Sequence, residues 1–140
     1  MNIKITCKDD RCIPEVIGIG DWIDLKTAED VSLKSGEYRV IKLGVAMQLP
    51  SGYEALIAPR SSTFKKWGII LVNSLGVIDE SYCGDGDEWG FLALAMRDTH
   101  IPAYTRICQF RIIEHQPKIN FEFVESLGNA DRGGIGSTGD

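Results

Sequence analysis

The feature that most constrains the fold is a recurring alternation of apolar and polar residues in short runs. The longest run, 37–49, places Ile41, Leu43 and Val45 on one face, followed by Met47 and Leu49. That period of two is typical of a β-strand with one buried face. Further runs of this kind occupy residues 1–7, 53–58, 69–72, 91–96, 105–113 and 121–123. Many short strands with Gly- and Pro-containing turns predict an all-β domain, an antiparallel jelly-roll-like barrel or sandwich.

Local signals between these runs predict one helix and two hairpins. Residues 61–66 follow Pro59 and are expected to form a short helix, with Ser61 or Ser62 available to cap its N-terminus. The turn at 50–52 is expected to join 37–49 and 53–58 in one hairpin. The turn at 73–76 is expected to join 69–72 to a short second strand that ends at Asp79.

Size and charge limit the classes of partner. A chain of 140 residues is one domain by length, which we divide into a β-domain, 1–126, and a Gly-rich tail, 127–140. The formal net charge of −5 argues against a nucleic acid or an anionic membrane surface as the main partner. No apolar run approaches the length of a membrane span, and the first residues lack the apolar core of a signal peptide. We therefore expect a cytoplasmic location.

The sequence contains four cysteines and two histidines, without a Cys-x-x-Cys pair or a Cys/His cluster. A zinc site is therefore not expected, and free thiols are predicted. The most acidic stretch has five carboxylates within ten residues: Asp79, Glu80, Asp85, Asp87 and Glu88. It either presents one carboxylate at the mouth of a cleft or is an acidic surface loop. We interpret Asp30, Glu80 and Asp85 as solvated surface carboxylates.

The glycine-rich tail allows two interpretations. Its composition cannot bury enough apolar surface to order itself, so a frayed terminus is one reading. The other is a strap whose amides and hydroxyls surround phosphate oxygens, with Arg132 supplying positive charge.

Five segments in a fixed order resemble the motifs of the trimeric dUTP diphosphatases, the dUTPases. The segments are Asp24-Leu25 with Thr27-Ala28-Glu29, Pro59-Arg60-Ser61-Ser62, Asn73 with Gly76-Val77-Ile78-Asp79, Tyr82 and Gly84, Arg106-Ile107-Cys108-Gln109, and Arg132-Gly133-Gly134 with Gly136-Ser137-Thr138-Gly139. The pattern is similar to that of phage and prophage enzymes of Gram-positive bacteria. The resemblance covers the chain from about Gly20 to Gly139.

The resemblance implies hydrolysis of dUTP to dUMP and pyrophosphate by water attack at the α-phosphorus. This reaction keeps uracil out of DNA and supplies dUMP for thymidylate synthesis. Asp79 is implied as the general base. Asp24 is implied as a water-mediated partner of a Mg²⁺ ion that the phosphates hold. The similar enzymes are homotrimers in which the tail of one subunit closes over a neighbour's site.

The resemblance also implies roles for the remaining motif residues. Those expected to contact uracil and deoxyribose are Asn73, Gly76, Ile78 and Tyr82. Those expected to contact the phosphates are Arg60, Ser61, Ser62, Gln109, Arg132, Gly136, Ser137 and Thr138. Gln109 has a plainer alternative, that of satisfying a strand edge, and Arg106 is expected to be a structural ion-pair partner.

The sequence departs from the family pattern at two places that bear on the site. Tyr104-Thr105 precede Arg106 where Gly-Asp is usual, and Ile135 stands where an aromatic residue usually stacks on uracil. We hypothesise that Trp89, or second to it Phe91, supplies the missing stacking surface from the extra stretch 85–90. The alternative is that Trp89 packs at the rim of the core or in a subunit interface.

Two other functions are considered. A dCTP deaminase of the same fold would share Arg60-Ser61-Ser62, but it needs a glutamate on the strand after the third motif, and residues 91–95 contain no acid. The chain could also be a non-catalytic jelly-roll module or a phage-type dUTPase with a regulatory protein partner, which no motif in the sequence identifies.

Overall fold

The computed structural model describes residues 1–136 and 139, and most of these residues lie in short antiparallel strands or the turns between them. The strands are β1 Lys4–Cys7, β2 Ile23–Lys26, β3 Val31–Leu33, β4 Tyr38–Lys42, β5 Val45–Gln48, β6 Tyr53–Pro59, β7 Ile69–Leu71, β8 Gly76–Ile78, β9 Gly90–Ala95, β10 Thr99–Ile101 and β11 Arg106–Glu114. One helix, α1, spans Thr63–Trp67, and a 3-10 turn spans Asp10–Cys12.

The strands form four antiparallel sheets around one core. The largest sheet has the order β2-β11-β6-β8, and a three-stranded sheet has the order β4-β9-β7. Two ribbons, β1-β5 and β3-β10, complete the fold. Leu25, Ile57 and Ile107 of the large sheet and Ile41 and Phe91 of the smaller one are fully buried together. The all-β, jelly-roll-like prediction is confirmed, although the ladders of residues 1–136 do not close into a barrel.

The run 37–49 is two strands rather than one. β4 pairs with β9 and β5 pairs with β1, so the chain changes sheets at Leu43-Gly44. Gly44 has a φ of +71°, and a Cβ there would lie 2.6 Å from Cys12 Sγ. The expected hairpin with 53–58 is also wrong, since β6 pairs with β11 and β8.

The second predicted hairpin and the last predicted strand are wrong for related reasons. β7 pairs with β9, whereas β8 pairs with β6, so the turn between them joins two sheets. Ser74 in that turn has a φ of +60°, which is uncommon for a residue with a side chain. Residues 121–123 form no strand, and Phe121 and Phe123 are 98% and 92% exposed, because no neighbouring strand of the described chain covers them.

The predicted helix is present but begins two residues later, at Thr63. Ser62 occupies the N-cap position without a side-chain capping bond. The buried Thr63 hydroxyl instead accepts from the Arg60 N–H (2.9 Å) and donates to the Ile107 carbonyl (2.7 Å). The helix start is therefore tied to β11. Within residues 1–136 and 139, no helix has the length and apolar character needed to cross a bilayer.

Candidate active site

The first, second and fourth motifs meet at one end of the large sheet. Asp24 of β2 lies opposite Gln109 of β11, which in turn lies opposite Ala58 of β6. Asp24 Oδ1 lies 3.1 Å from Arg60 Nε, and Asp24 Oδ2 lies 3.7 Å from Arg106 Nη1. Arg60 and Arg106 thus surround one half-buried carboxylate, and together with Lys26 these cations outnumber the carboxylates of Asp24 and Glu15, which suits phosphate oxygens.

Hydrogen bonds to the backbone fix this cluster. Arg60 Nη1 donates to the Arg106 carbonyl (3.3 Å), and Gln109 Nε2 donates to the Pro59 carbonyl (3.1 Å). The Gln109 amide is therefore used within the sheet, as its plainer alternative proposed. Arg106 forms its expected ion pairs, with Asp24 and with Glu15 at 3.9 Å.

The turn before Arg106 contains Tyr104-Thr105 in place of the usual Gly-Asp, and contacts from other segments support it. Tyr104 has a φ of +62°, a conformation that glycine adopts more easily. The Tyr104 N–H donates to the Thr27 carbonyl (2.8 Å), and the Thr105 N–H donates to the buried Thr27 hydroxyl (3.1 Å). Arg11 stacks on the Tyr104 ring at 4.1 Å. Thr27 and Arg11 were not predicted to support this turn, because the contacts are remote in sequence.

Whether a metal ion can bind here depends on which side chains offer ligand atoms. Among the residues that the structure describes, no three His, Cys, Asp or Glu side chains come together as ligands for an ion. Mg²⁺ keeps several waters and uses one or two carboxylates together with substrate phosphates. The Asp24 carboxylate, paired with arginine, offers oxygen donors of the type that fit a water-mediated contact with such an ion.

The third motif forms the other half of the site at the far edge of the sheet. Asp79 follows the last residue of β8 and is exposed. Its carbonyl accepts from the Tyr82 N–H (3.0 Å), and the Tyr82 hydroxyl donates to the Glu88 carbonyl (3.2 Å). Gly76 faces Ile57 so closely that a Cβ would lie 3.0 Å from Ile57 Cβ.

An open cavity of about 660 Å³ borders Asp79, and its titratable lining groups are Glu54, Asp79, Glu80, Cys83 and His115. A volume of this size is in the range of small-molecule sites. The Glu80 side chain is 39% exposed, in line with a surface carboxylate, but it also has partners. Its Oε2 accepts from the Gly52 N–H (2.9 Å) and lies 3.3 Å from His115 Nε2. Asp30 accepts from the Ala103 N–H (2.8 Å) and, like Asp85, is exposed.

One chain does not bring the two halves together. Along the strand direction, Asp24 has the same position in the sheet as Ala58 of β6. Asp79 lies one residue beyond the Ile78–Ala55 pair and so has the same position as Glu54. Four residues at ~3.3 Å and three strand spacings at ~4.8 Å place the Cα atoms of Asp24 and Asp79 about 20 Å apart.

The stacking hypothesis for Trp89 is wrong in this chain. Trp89 is completely buried and meets the Phe110 ring edge-on, with centroids 5.3 Å apart. Its backbone N–H donates to the Val45 carbonyl (2.8 Å). Phe91, the second candidate, is completely buried too. The alternative of core packing therefore explains Trp89, and Ile135 is fully exposed.

The described part of the tail is solvent-exposed. Arg132 and Gly136, two of the predicted phosphate ligands, have no contact with the Asp24 cluster among the hydrogen bonds and ion pairs of the described residues. Ser137 and Thr138 lie outside the described residues. The role of the tail stays a prediction.

Comparisons with known proteins agree with this arrangement. The dUTPase family model matches residues 23–139. The chain is 59% identical over 120 residues to the SPbeta prophage-derived deoxyuridine 5'-triphosphate nucleotidohydrolase of Bacillus subtilis (strain 168), covering 86% of this chain and 84% of the relative. 

Solved structures show the same fold. The Staphylococcus bacteriophage 80alpha dUTPase with dUPNHPP superposes with a TM-score of 0.82 at 21% identity, over 99% of both chains. A mutant dUTPase from phage phi11 of S. aureus, described with a structural Mg(II) ion, gives a TM-score of 0.78 at 20% identity, over 91% of this chain and 99% of that one. The chain therefore belongs to the dUTPase family.

Proposed function

We propose that this enzyme hydrolyses dUTP to dUMP and pyrophosphate at sites shared between the subunits of a homotrimer. Asp79 acts as general base, and Mg²⁺ is held mainly by the substrate phosphates. The observation that carries this proposal is the exposed Asp79 carboxylate at an open cavity, on an edge strand of a dUTPase fold. The reaction would limit uracil in DNA by removing dUTP, and it would supply dUMP in the cytoplasm.

The chemistry assigned to Asp79 is proton transfer. A carboxylate within hydrogen-bond reach of a water accepts its proton as the oxygen attacks the α-phosphorus, and pyrophosphate leaves. Such general-base catalysis contributes typically about 10²–10⁴-fold. The proton ends on a carboxylate oxygen of Asp79, and the next water entering the open cavity removes it.

Charge stabilisation is assigned to the Asp24 cluster and the tail. Arg60 Nε is paired with Asp24, Arg60 Nη1 donates to the Arg106 carbonyl, and the Arg60 backbone N–H donates to the Thr63 hydroxyl. The guanidinium is therefore preorganised for phosphate oxygens. Ser61, Ser62, Gln109, Arg132, Gly136, Ser137 and Thr138 add hydrogen bonds. When bound, Mg²⁺ would neutralise phosphate charge and orient the triphosphate.

Base and sugar selection is assigned to the turn from Asn73 to Ile78 and to Tyr82. Backbone groups of this turn would read the uracil edge and leave no space for a thymine methyl group. The Tyr82 hydroxyl is bonded to the Glu88 carbonyl, which fixes the ring. A fixed ring against deoxyribose would exclude a 2′-hydroxyl group.

Two observations support a shared site in a homotrimer. The first is the separation of about 20 Å between Asp24 and Asp79, estimated from strand geometry. The second is an exposed apolar face on the β4-β9-β7 sheet, where cross-strand neighbours form continuous rows. The side chains of this face are Tyr38, Val40, Ile70, Val72, Leu92 and Leu94. Exposed apolar surface of this extent favours cover by another subunit.

Truncation after Leu127 is expected to lower activity at least about tenfold, because positioning groups would be lost from a neighbouring site. The trimer is expected to remain, since the apolar face lies outside the tail. Light scattering and steady-state kinetics measure the two effects. Arg132→Gln in the full-length chain is the matched variant that removes charge alone. An active monomer, or a truncated enzyme with full activity, would refute the assigned role.

A nucleotide panel tests the function. Purified protein is incubated with dUTP, UTP, dCTP or dTTP, with Mg²⁺ or with excess chelator, and pyrophosphate and nucleotide products are quantified. We expect dUTP to be hydrolysed in preference to the other three, and only with Mg²⁺. Equal turnover of UTP would refute the role of Tyr82.

The rival functions find less support. β9 spans Gly90–Ala95 without an acid, and the nearest candidate, Glu88, lies 2.9 Å from Lys8 Nζ. Ammonia release from dCTP would be the sign of a deaminase. A regulatory protein partner stays a prediction that neither the site nor the comparisons identify.

A further inference from the structure

Three segments of the chain meet at the carboxylate of Glu80. Its Oε2 accepts the Gly52 N–H at 2.9 Å, and His115 Nε2 lies 3.3 Å from the same oxygen. The His115 N–H donates to the Gly52 carbonyl at 3.0 Å. The turn before β6, the residue after β11 and the segment after β8 thus form a closed triangle. We call Gly52, Glu80 and His115 the latch.

Glu80 follows Asp79 in sequence, and Glu80 and His115 line the same cavity as Asp79. β8 is only three residues long, and among the described residues it is an edge strand that pairs with β6 alone. Beyond its end, the Asp79 carbonyl is held by the Tyr82 N–H, a local turn contact. Glu80 therefore supplies the long-range attachment of this segment, across 28 residues to Gly52.

We propose that Glu80 and His115 are positioning residues that fix the direction of the Asp79 carboxylate toward the attacking water. This proposal rests on the proposed function, in which Asp79 is the base. Glu80 acts through the backbone that it shares with Asp79, and His115 acts through Glu80. A short edge strand without this attachment would let the carboxylate sample unproductive directions, and small misplacements of a catalytic group are costly.

Charge makes the latch dependent on pH. A hydrogen bond with the Gln116 carbonyl, and the nearby carboxylates of Glu80 and Glu54, raise the pKa of His115 above its usual value. The Gly52 N–H lowers the pKa of Glu80. The other titratable groups that line the cavity are Asp79 and Cys83.

The sign of the effect follows from these directions. The ion pair exists between the lowered pKa of Glu80 and the raised pKa of His115, and it is lost as pH rises through the latter. The wild-type kcat is therefore expected to show a modest step down on its alkaline side. His115→Gln, which keeps a donor but cannot titrate there, is expected to lack that step.

The first experiment compares three variants. Glu80→Ala is expected to lower kcat about tenfold and Glu80→Gln, which still accepts from Gly52, about threefold, with KM within about twofold of wild type because the ground-state contacts remain. The matched control is Asp98→Asn. Asp98 also accepts a backbone N–H, from Ser35 at 2.8 Å, and lies 3.6 Å from Lys34 Nζ, but it is remote from the cavity. Its kcat should equal that of wild type.

The closing experiment adds Glu80→Ala to Asp79→Asn. A residue that acts through Asp79 should cost nothing more once the base is gone, so both variants should share one residual rate. A further tenfold loss in the double variant would overturn the latch. So would a wild-type kcat in Glu80→Ala, or an alkaline step that persists in His115→Gln. Full turnover in Asp79→Asn would instead overturn the proposed function, and the latch with it.

Discussion

Asp79→Asn is expected to lower kcat for dUTP at least about 10²-fold, because asparagine keeps the shape of the side chain but cannot accept the proton of the attacking water. The cavity beside Asp79 is open, so solvent access is unchanged by the substitution. Asp85→Asn is the matched control: it removes one exposed carboxylate from the same acidic stretch. Its kcat should remain within about twofold of wild type, as for surface changes in general.

Binding separates the role of Asp79 from a folding effect. An uncleavable dUTP analogue should bind Asp79→Asn within a few-fold of wild type, because little ground-state binding depends on the proton. Isothermal titration measures this affinity. Persistent turnover in Asp79→Asn would show that another group is the base, with Asp24 next in line. The oxygens of Asp24 are already paired with Arg60 and Arg106.

The second large effect is on stability. Trp89→Ala is expected to lower the free energy of unfolding by about 3–5 kcal/mol, the range for large aromatic side chains removed from a core. Trp89 is completely buried and packs edge-on against Phe110. Trp89→Phe should cost less, since it keeps an aromatic ring and its indole N–H has no hydrogen-bond partner among the described residues. Urea unfolding measures both.

Trp22→Ala is the control for Trp89. Trp22 is only half-buried and lies 5.5 Å from the Arg111 guanidinium, so its removal leaves the core intact and should cost much less. In a protein carrying Trp22→Phe and Trp67→Phe, the emission of Trp89 should not respond to a saturating dUTP analogue. Unchanged stability in Trp89→Ala, together with a raised KM, would contradict core packing and restore the stacking hypothesis.

Alternation identified strands because each strand buries one face, whichever sheet it joins. The inward residues of β11, such as Phe110, follow that rule. The pairing partner of each strand could not be predicted from this alternation. The alternation of 37–49 continues in the sequence through Gly44 although β4 and β5 belong to different sheets, and β5 buries Val45, Ala46 and Met47 in succession rather than on one face. Pairing depends on contacts that are remote in sequence.

The glycines around Trp89 were the reason for the wrong prediction that this side chain stacks on the base. The stacking hypothesis assumes that Gly84, Gly86 and Gly90, which flank Trp89, let the stretch 85–90 fold over the base. In the structure a Cβ at Gly90 would lie 2.7 Å from Val40 Cγ1, so that glycine permits close packing of β9 on β4. Sequence does not distinguish a glycine needed for packing from one needed for mobility. The latch could not be predicted from the sequence either, since Glu80 is remote in sequence from Gly52 and His115.

The resemblance to the dUTPase motifs identified the family and implied that a neighbouring subunit contributes to each site, but it did not show which motifs lie together within one chain. Within one chain Arg60 lies with Asp24, and Asp79 lies at the other edge of the sheet. Motif order along the sequence does not show this separation, because it depends on which strands are neighbours. The central claim is that residues from different subunits complete each site.

Mixed trimers test that claim most directly. Arg60→Ala and Asp79→Asn chains, each inactive alone, are co-expressed with different tags, and trimers carrying both tags are purified. In a cyclic trimer with Arg60 and Asp79 from different subunits, each mixed trimer contains one intact site of three, so about a third of the wild-type kcat per trimer should return. Mixed trimers of the correct size with no more activity than either parent would contradict a shared site.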